Sequence, residues 1–224
     1  MSITLVIPAK NEGGGIAELI ASCRPYVNEI IVVDGHSSDD TIERSNGADK
    51  VILDNGLGKG DAYKVGVKAA SCEVVVFIDA DGSHDPADIP TLAAPILADE
   101  AELVVGSRIR GGSDELFGDF DNFIRAIGSG LITITLHYRF GLRITDALNG
   151  YRAINRKWFA ELNLKCNDFD IEQHMISQCA KYGGRYFEVP THEYCRKWGS
   201  SKLPTLKKGY LFIWRLMMDI LPLK

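Results

Sequence analysis

No stretch of this 224-residue chain reaches the roughly 18 uninterrupted apolar residues that a membrane span needs. The nearest, YLFIWRLMMDILPL over 210–223, is short and broken by Arg215 and Asp219. The opening residues run straight into an apolar strand, ITLVIP, without the charged start and long apolar segment of a signal peptide, so none is expected. The five cysteines (Cys23, Cys72, Cys166, Cys179, Cys195) are scattered, odd in number and contain no C-x-x-C pair. That argues against a zinc knuckle or disulfide framework and for a reducing, cytosolic compartment. Positive charge is not in excess. The formal net charge of −5 argues against bulk nucleic-acid binding. No G-x-x-x-x-G-K-[ST] loop is present, and Asp61 stands where a G-x-G-x-x-G fingerprint would need its last glycine. No Ser-His-Asp arrangement is legible; the five histidines are dispersed, and His84 reads as a loop or capping residue. With no internal repeat, low-complexity segment or Pro/Ser-rich linker, the chain reads as one continuous domain with a large core.

What is present is an alternation of short apolar runs and helical patterns. Strands are predicted at 3–7, 29–33, 50–53, up to Asp79, 102–106 and 185–189. Helices are predicted over about 16–24, from Ser38 or Asp39, 61–71, 86–98, 121–140, 156–162 and 168–181. Short parallel strands buried on both faces read as continuous apolar runs, so the pattern points to an α/β, mostly parallel, doubly wound sheet flanked by helices. Polar residues follow successive strands: Lys10-Asn11-Glu12, Asp34, Asp54-Asn55, Asp79 with Asp81, and Ser107-Arg108. The carboxyl edge of such a sheet is where open α/β folds bind ligands, so this convergence marks a candidate site.

Its centre is EVVVFIDADGSHD over 73–85. Two carboxylates one residue apart at a strand end suit a hard divalent cation that also holds substrate phosphates; they equally suit a loop that caps the helix opened by Pro86. GLGKG at 56–60, carrying Lys59, reads either as a glycine-permitted turn into a helix or as close backbone approach to a nucleoside. Arg108 shares the edge with Asp81, and a guanidinium fork matches phosphate oxygens. Arg196 and Lys202 sit in a basic, glycine-containing loop, RKWGSSK, suited to folding over an anion.

Taken in order, PAKNE (8–12), VVDGHSSDDT (32–41), GLGKGDA (56–62), FIDADGSHDP (77–86), GSR (106–108), TDALNGYR (145–152), EVP (188–190) and R-x-x-G-x-S-K (196–202) resemble the inverting family 2 glycosyltransferases of GT-A fold. The resemblance spans nearly the whole chain and is to the polyprenyl-phosphate sugar synthases, the dolichol-phosphate mannosyltransferase type. It implies that Pro8, Ala9, Asn11, Glu12 and Asp34 line the nucleoside pocket, with Asp79, Arg196, Ser201 and Lys202 on the donor diphosphate; Lys59 is a further candidate for binding the donor nucleotide. It implies Mg²⁺ or Mn²⁺ at Asp79 and Asp81, with Ser83 at the position of a third ligand that is often glutamine. Arg108, Arg125 and Ser129 would hold the acceptor phosphate. Asp146, Gly150 and Arg152 match a further motif, in which Asn149 replaces the usual serine. Asp81, Arg108 and Asp146 are the candidate catalytic side chains.

The expected reaction is metal-dependent, inverting transfer of a hexose from a GDP- or UDP-sugar to polyprenyl (dolichyl) phosphate, with mannose the first choice. A phosphate monoester is largely dianionic at neutral pH and needs no strong base; a hydroxyl acceptor would need one, and Asp146 is the candidate. Residues 1–110 are expected to form the nucleotide half, 111–203 the acceptor half, and 204–224 an amphipathic tail. Helix 121–140 and that tail, with Lys207, Lys208, Arg215 and Lys224 as basic partners, suit a membrane surface on its cytosolic face, or a homo-oligomer or membrane partner protein. The rival readings are a UDP-glucose or UDP-GlcNAc transferase acting on a hydroxyl acceptor, a sugar nucleotidyltransferase, which would want an arginine in PAKNEGGG, and a non-catalytic nucleotide-binding module at a membrane.

Overall fold

The computed structural model describes residues 2–116, 120–199 and 205–221, side chains excepted at 120, 121 and 205–208. Seven strands form one sheet in the order β3-β2-β1-β4-β6-β5-β7. They are β1 Ile3–Ala9, β2 Glu29–Asp34, β3 Lys50–Leu53, β4 Val74–Phe77, β5 Leu103–Ser107, β6 Arg152–Asn155 and β7 Tyr186–Pro190. β1 pairs in parallel with β2 and with β4, so the strand order reverses about β1. That reversal opens a crevice at the carboxyl ends of β1 and β4, where ligands bind in open α/β sheets.

Alternating residues of β1 explain the layers. Ile3, Leu5 and Ile7 enter one core with Ile16, Leu19 and Ile20 of α1 (Ile16–Cys23) and Ile89, Leu92 and Ile96 of α4 (Ile89–Leu97). Val6 enters the other, with Tyr63 and Val67 of α3 (Lys59–Ala69), Ile132 and Leu136 of α6 (Phe120–Phe140), and Met175 and Ile176 of α8 (Ile171–Lys181). Both faces are covered, as expected for strands that read as unbroken apolar runs. Short helices α2 (Thr41–Arg44), α5 (Arg108–Gly111) and α7 (Arg156–Glu161) complete the connections, and α9 (Thr205–Ile220) packs on α6 and α8.

One strand departs from the expected layout. β6 runs antiparallel between β4 and β5, in the stretch between the helices predicted at 121–140 and 156–162, where no strand was expected. Its first residue, Arg152, is fully buried. The guanidinium is satisfied by carbonyls: Nη1 donates to Glu172 O at 2.7 Å, Nε to Asn149 O at 2.9 Å and Nη2 to Ala147 O at 3.3 Å. A charged residue with every side-chain nitrogen hydrogen-bonded can occupy a core strand. Arg152 is therefore a structural residue of the sheet.

The tail differs in a second way. Among the described residues no helix is long and apolar enough to cross a membrane. Asp219 and Arg215 of α9 point inward: Asp219 is fully buried, and Arg215, 3.0 Å from it, has a side chain only 13% exposed. Arg215 is thus not the outward basic partner anticipated. The outward face carries Tyr210, Ile213, Trp214, Met217 and Met218, continuing Phe123, Ile127, Leu131, Ile134 and Tyr138 on α6. Lys202 and Lys224 lie outside the described residues, as do the side chains of Lys207 and Lys208.

Candidate active site

One large cleft, about 1150 Å³, follows the carboxyl edge of the sheet. Pro8, Ala9, Asn11 and Glu12 line one end, together with Asp54 and Leu57. The loop after β1 is knitted to the loop after β2: the Asn11 N–H donates to Ser37 Oγ, Glu12 N–H to Thr41 Oγ1 and Gly13 N–H to an Asp39 carboxylate oxygen. Asp34 belongs to this scaffold. Its carboxylate is fully buried and accepts from the backbone N–H and the hydroxyl of Ser37, and the side chain does not line the cleft.

The D-x-D turn stands at the middle, and its two carboxylates have different partners. Asp79 Oδ1 pairs with Lys59 Nζ at 2.7 Å, and the same ammonium pairs with Glu172 Oε1 at 2.8 Å. Burial works to lower the Lys59 pKa, and the two carboxylates outweigh it, holding the ammonium well above its ordinary range. Burial works to raise Asp79, and Lys59, then His84 and Arg196, bring it below the usual carboxylate range. Lys59 was expected on the donor; here it neutralises the first aspartate. Tyr63 stacks on Phe77 with ring centroids 4.0 Å apart, fixing α3 on β4 and so aiming Lys59. A Cβ at Gly150 would lie 2.7 Å from Asp79 Oδ2 and 2.9 Å from Lys59 Nζ, so the NGYR turn needs glycine there.

Asp81 faces the cleft. Its Oδ1 accepts from the Ser83 N–H at 3.1 Å and the Ser83 hydroxyl at 2.8 Å, and its Oδ2 lies 3.3 Å from Arg196 Nη2. Ser83 therefore orients Asp81, its hydroxyl being already engaged. His84 is buried against the Tyr151 ring, and burial pushes its pKa down.

Beyond the turn, Arg108 is held by two carboxylates. Its Nε and Nη2 donate to Asp146 at 2.6 and 2.9 Å, and its Nη1 donates to Glu193 at 3.2 Å. Burial works to raise Asp146, but Arg108 keeps it below the usual range. Glu188 accepts from the Asp146 and Thr145 N–H groups, fixing the segment. With both oxygens bonded to one guanidinium, Asp146 is not poised to abstract a proton. Arg125 and Ser129, on α6, line the next part of the cleft, which ends among Leu131, Ile132, Phe212, Ile213 and Leu216 between α6 and α9.

Pattern reading missed Glu172, Glu193 and Glu115, partners of Lys59, Arg108 and Arg196, and gave no role to Glu188, the first residue of the EVP motif, which holds the Asp146 segment. Nothing in DFDIEQ signals that Glu172 is buried under Lys59, because α8 is buried along polar and apolar positions alike. Ser201 and Lys202 lie outside the described residues.

Nine carboxylates line the cleft against five lysine and arginine side chains. Such a lining repels a diphosphate unless a cation accompanies it. Among the described residues no three His, Cys, Asp or Glu side chains form a metal cage. Mg²⁺ and Mn²⁺ are bound through one or two carboxylates plus substrate phosphates, and the D-x-D turn offers such carboxylates.

A mostly parallel sheet with a D-x-D turn midway along a cleft at its carboxyl edge defines a GT-A type of glycosyltransferase. The chain belongs to glycosyl transferase family 2, whose model matches residues 4–162. It is 30% identical to glycosyltransferase AglJ of Haloferax volcanii, over 93% of this chain and 68% of that protein. It is 27% identical to the UDP-N-acetylglucosamine–dolichyl-phosphate N-acetylglucosaminyltransferase of Methanococcus voltae, over 96% and 95%. It is 29% identical to the undecaprenyl-phosphate mannosyltransferase of Micrococcus luteus, over 91% and 88%. Glucosyl-3-phosphoglycerate synthase from Mycobacterium tuberculosis, solved with Mn²⁺, UDP-glucose and phosphoglyceric acid, superposes with a TM-score of 0.78 at 25% identity, covering 100% of this chain and 81% of that one.

Proposed function

We propose that this chain transfers a hexose, with inversion, from a nucleotide-diphosphate sugar to the phosphate of a polyprenyl phosphate at a membrane surface. One observation carries the reading: a single cleft runs from the polar strand ends, past Asp81 and Arg108, to an apolar mouth between α6 and α9. A soluble acceptor has no use for that mouth; a lipid chain leaving a phosphate bound near Arg108, Arg125 and Ser129 fills it. The outward aromatic and apolar side chains of both helices flank the mouth and suit an apolar medium, with Trp and Tyr at the interfacial level. In this reading residues 204–224 attach the protein peripherally to the cytosolic face.

The chemistry follows. A phosphate oxygen of the acceptor attacks the anomeric carbon from the side opposite the diphosphate, the new C–O bond forms and the bond to the diphosphate breaks. The dianion needs no base, in keeping with an Asp146 clamped by Arg108. Asp81 would hold a Mg²⁺ or Mn²⁺ ion, which when bound neutralises charge on the departing diphosphate. Arg196 adds a cation on the same side, while Arg108 and Arg125 hold the acceptor. Mannose is the first choice of sugar and N-acetylglucosamine the second, the sugars named for two of the relatives.

Incubation with labelled GDP-mannose, UDP-N-acetylglucosamine and UDP-glucose, Mn²⁺ and vesicles containing polyprenyl phosphate tests the reading. Label is expected in the organic extract with one of these donors. Label confined to water-soluble saccharide would overturn the lipid acceptor.

A further inference from the structure

We infer that Arg196 is the ion-pair partner of the carboxylate oxygen at which the cation binds, and that cation arrival moves this guanidinium from Asp81 to the donor diphosphate. The inference rests on the metal assignment of the proposed function and adds the exchange. Asp81 has two oxygens. Oδ1 is engaged by the N–H and hydroxyl of Ser83. Oδ2 is the one left for a cation, and Arg196 Nη2 stands 3.3 Å from it. A divalent ion bound at that oxygen stands within a few ångströms of the guanidinium, and the two positive charges repel.

The surrounding bonds decide what moves. The backbone of the segment is fastened to the D-x-D turn: Tyr194 N–H donates to Ser83 O at 2.8 Å, and the N–H groups of Lys197 and Trp198 donate to Asp81 O at 3.0 and 3.3 Å. Arg196 N–H donates to Glu115 Oε1 at 2.8 Å. Trp198 lies so close over the turn that a Cβ at Gly82, whose φ is +74°, would meet its ring at 2.4 Å. With the backbone pinned, the exchange is a rotation of the Arg196 side chain about an anchored Cα. Its destination is set by charge. The guanidinium fork pairs with phosphate oxygens, and those arrive only with the metal and donor. Arg196 thus acts as a placeholder that keeps Asp81 charge-compensated until cation and diphosphate bind together.

Mn²⁺ binding followed by electron paramagnetic resonance tests this without turnover. With Mn²⁺ alone, Arg196→Gln should bind about fivefold more tightly than the unaltered protein, the factor that corresponds to losing a partly exposed ion pair. Arg196→Lys keeps a competing charge and should remain near the unaltered protein. With GDP or UDP added the order should reverse, because the variant lacks the guanidinium that moves to the phosphates. Equal or weaker Mn²⁺ binding by Arg196→Gln in the absence of nucleotide would overturn the exchange. If Asp81→Asn binds Mn²⁺ plus nucleoside diphosphate as well as the unaltered protein does, the metal assignment itself fails, a pattern distinct from failure of the exchange alone.

Discussion

The two edges of the sheet handle carboxylates in opposite ways. At the amino edge, Glu29 opens β2 and is buried. It accepts from the Thr4 hydroxyl at 2.6 Å, the Ser71 N–H at 2.8 Å and the Ser71 hydroxyl at 2.9 Å, and it pairs with Lys50 at 2.8 Å. Burial works to raise its pKa; Lys50, Thr4 and Ser71 outweigh it and bring it down to about 2. Every partner is part of the protein and joins neighbouring strand starts. At the carboxyl edge, Asp81 has one oxygen fixed by Ser83 and the other turned to a cleft rich in like charge. Closed networks specify a fold, whereas open ones leave a demand that a ligand must meet.

The largest test of this contrast is Asp81→Asn, which keeps an acceptor for Ser83 and removes the charge. Glycosyl transfer should fall about 10³-fold while the free energy of unfolding changes by less than about 1 kcal/mol. Rates from labelled donor and urea titrations on the same preparations check it. A variant that loses stability as steeply as activity would erase the distinction between the edges.

Glu29→Gln is the mirror experiment. Because the folded pKa is depressed from 4.5 to about 2, the contribution is present above the ordinary value and is lost as pH falls through the folded one. At pH 7 the variant should lose up to about 3 kcal/mol of stability, with turnover unchanged at temperatures where it stays folded. The loss should shrink between pH 4.5 and 2. Urea midpoints across that range would show it, and a pH-independent deficit would mean that packing, not charge, dominates at Glu29.

The contrast also explains how much could be read beforehand. Strands whose residues are apolar on both faces were legible, from ITLVI to ELVVG, because burial and pattern coincide there. β6 was not, since its leading arginine is satisfied by three backbone carbonyls that only the folded chain brings together. The strand-end carboxylates stood out by position. Their surroundings did not: Glu172, 93 residues beyond Asp79, shares the Lys59 ammonium with it, and Glu193, 85 residues beyond Arg108, pairs with that guanidinium, and no local spacing links them. Lys59, in a glycine-rich turn read as a possible approach to the nucleoside, was expected on the donor nucleotide, while its 2.7 Å contact gives it Asp79 as a nearer partner.

A third kind of carboxylate sharpens the comparison. Asp219 is fully buried between α9 and α8, yet it faces neither a closed network nor the cleft. Arg215 lies 3.0 Å away and His174 of α8 lies 3.9 Å away. Burial raises Asp219 to about 6, against the pull of Arg215, Ser177 and Lys181. His174 does not supply a countercharge, since burial followed by Arg215 pushes it down to about 3. A carboxyl raised in the folded state favours folding below its ordinary value of 3.8, and that contribution is lost as pH rises through about 6. Asp219→Asn mimics the protonated form. It should be nearly neutral at pH 5 and stabilise by about 1 kcal/mol at pH 8, the gain being held down because Arg215 loses its partner. Urea unfolding at the two pH values decides the point. Destabilisation at pH 8 would show that the Arg215 pair outweighs burial, and would move Asp219 into the same class as Glu29.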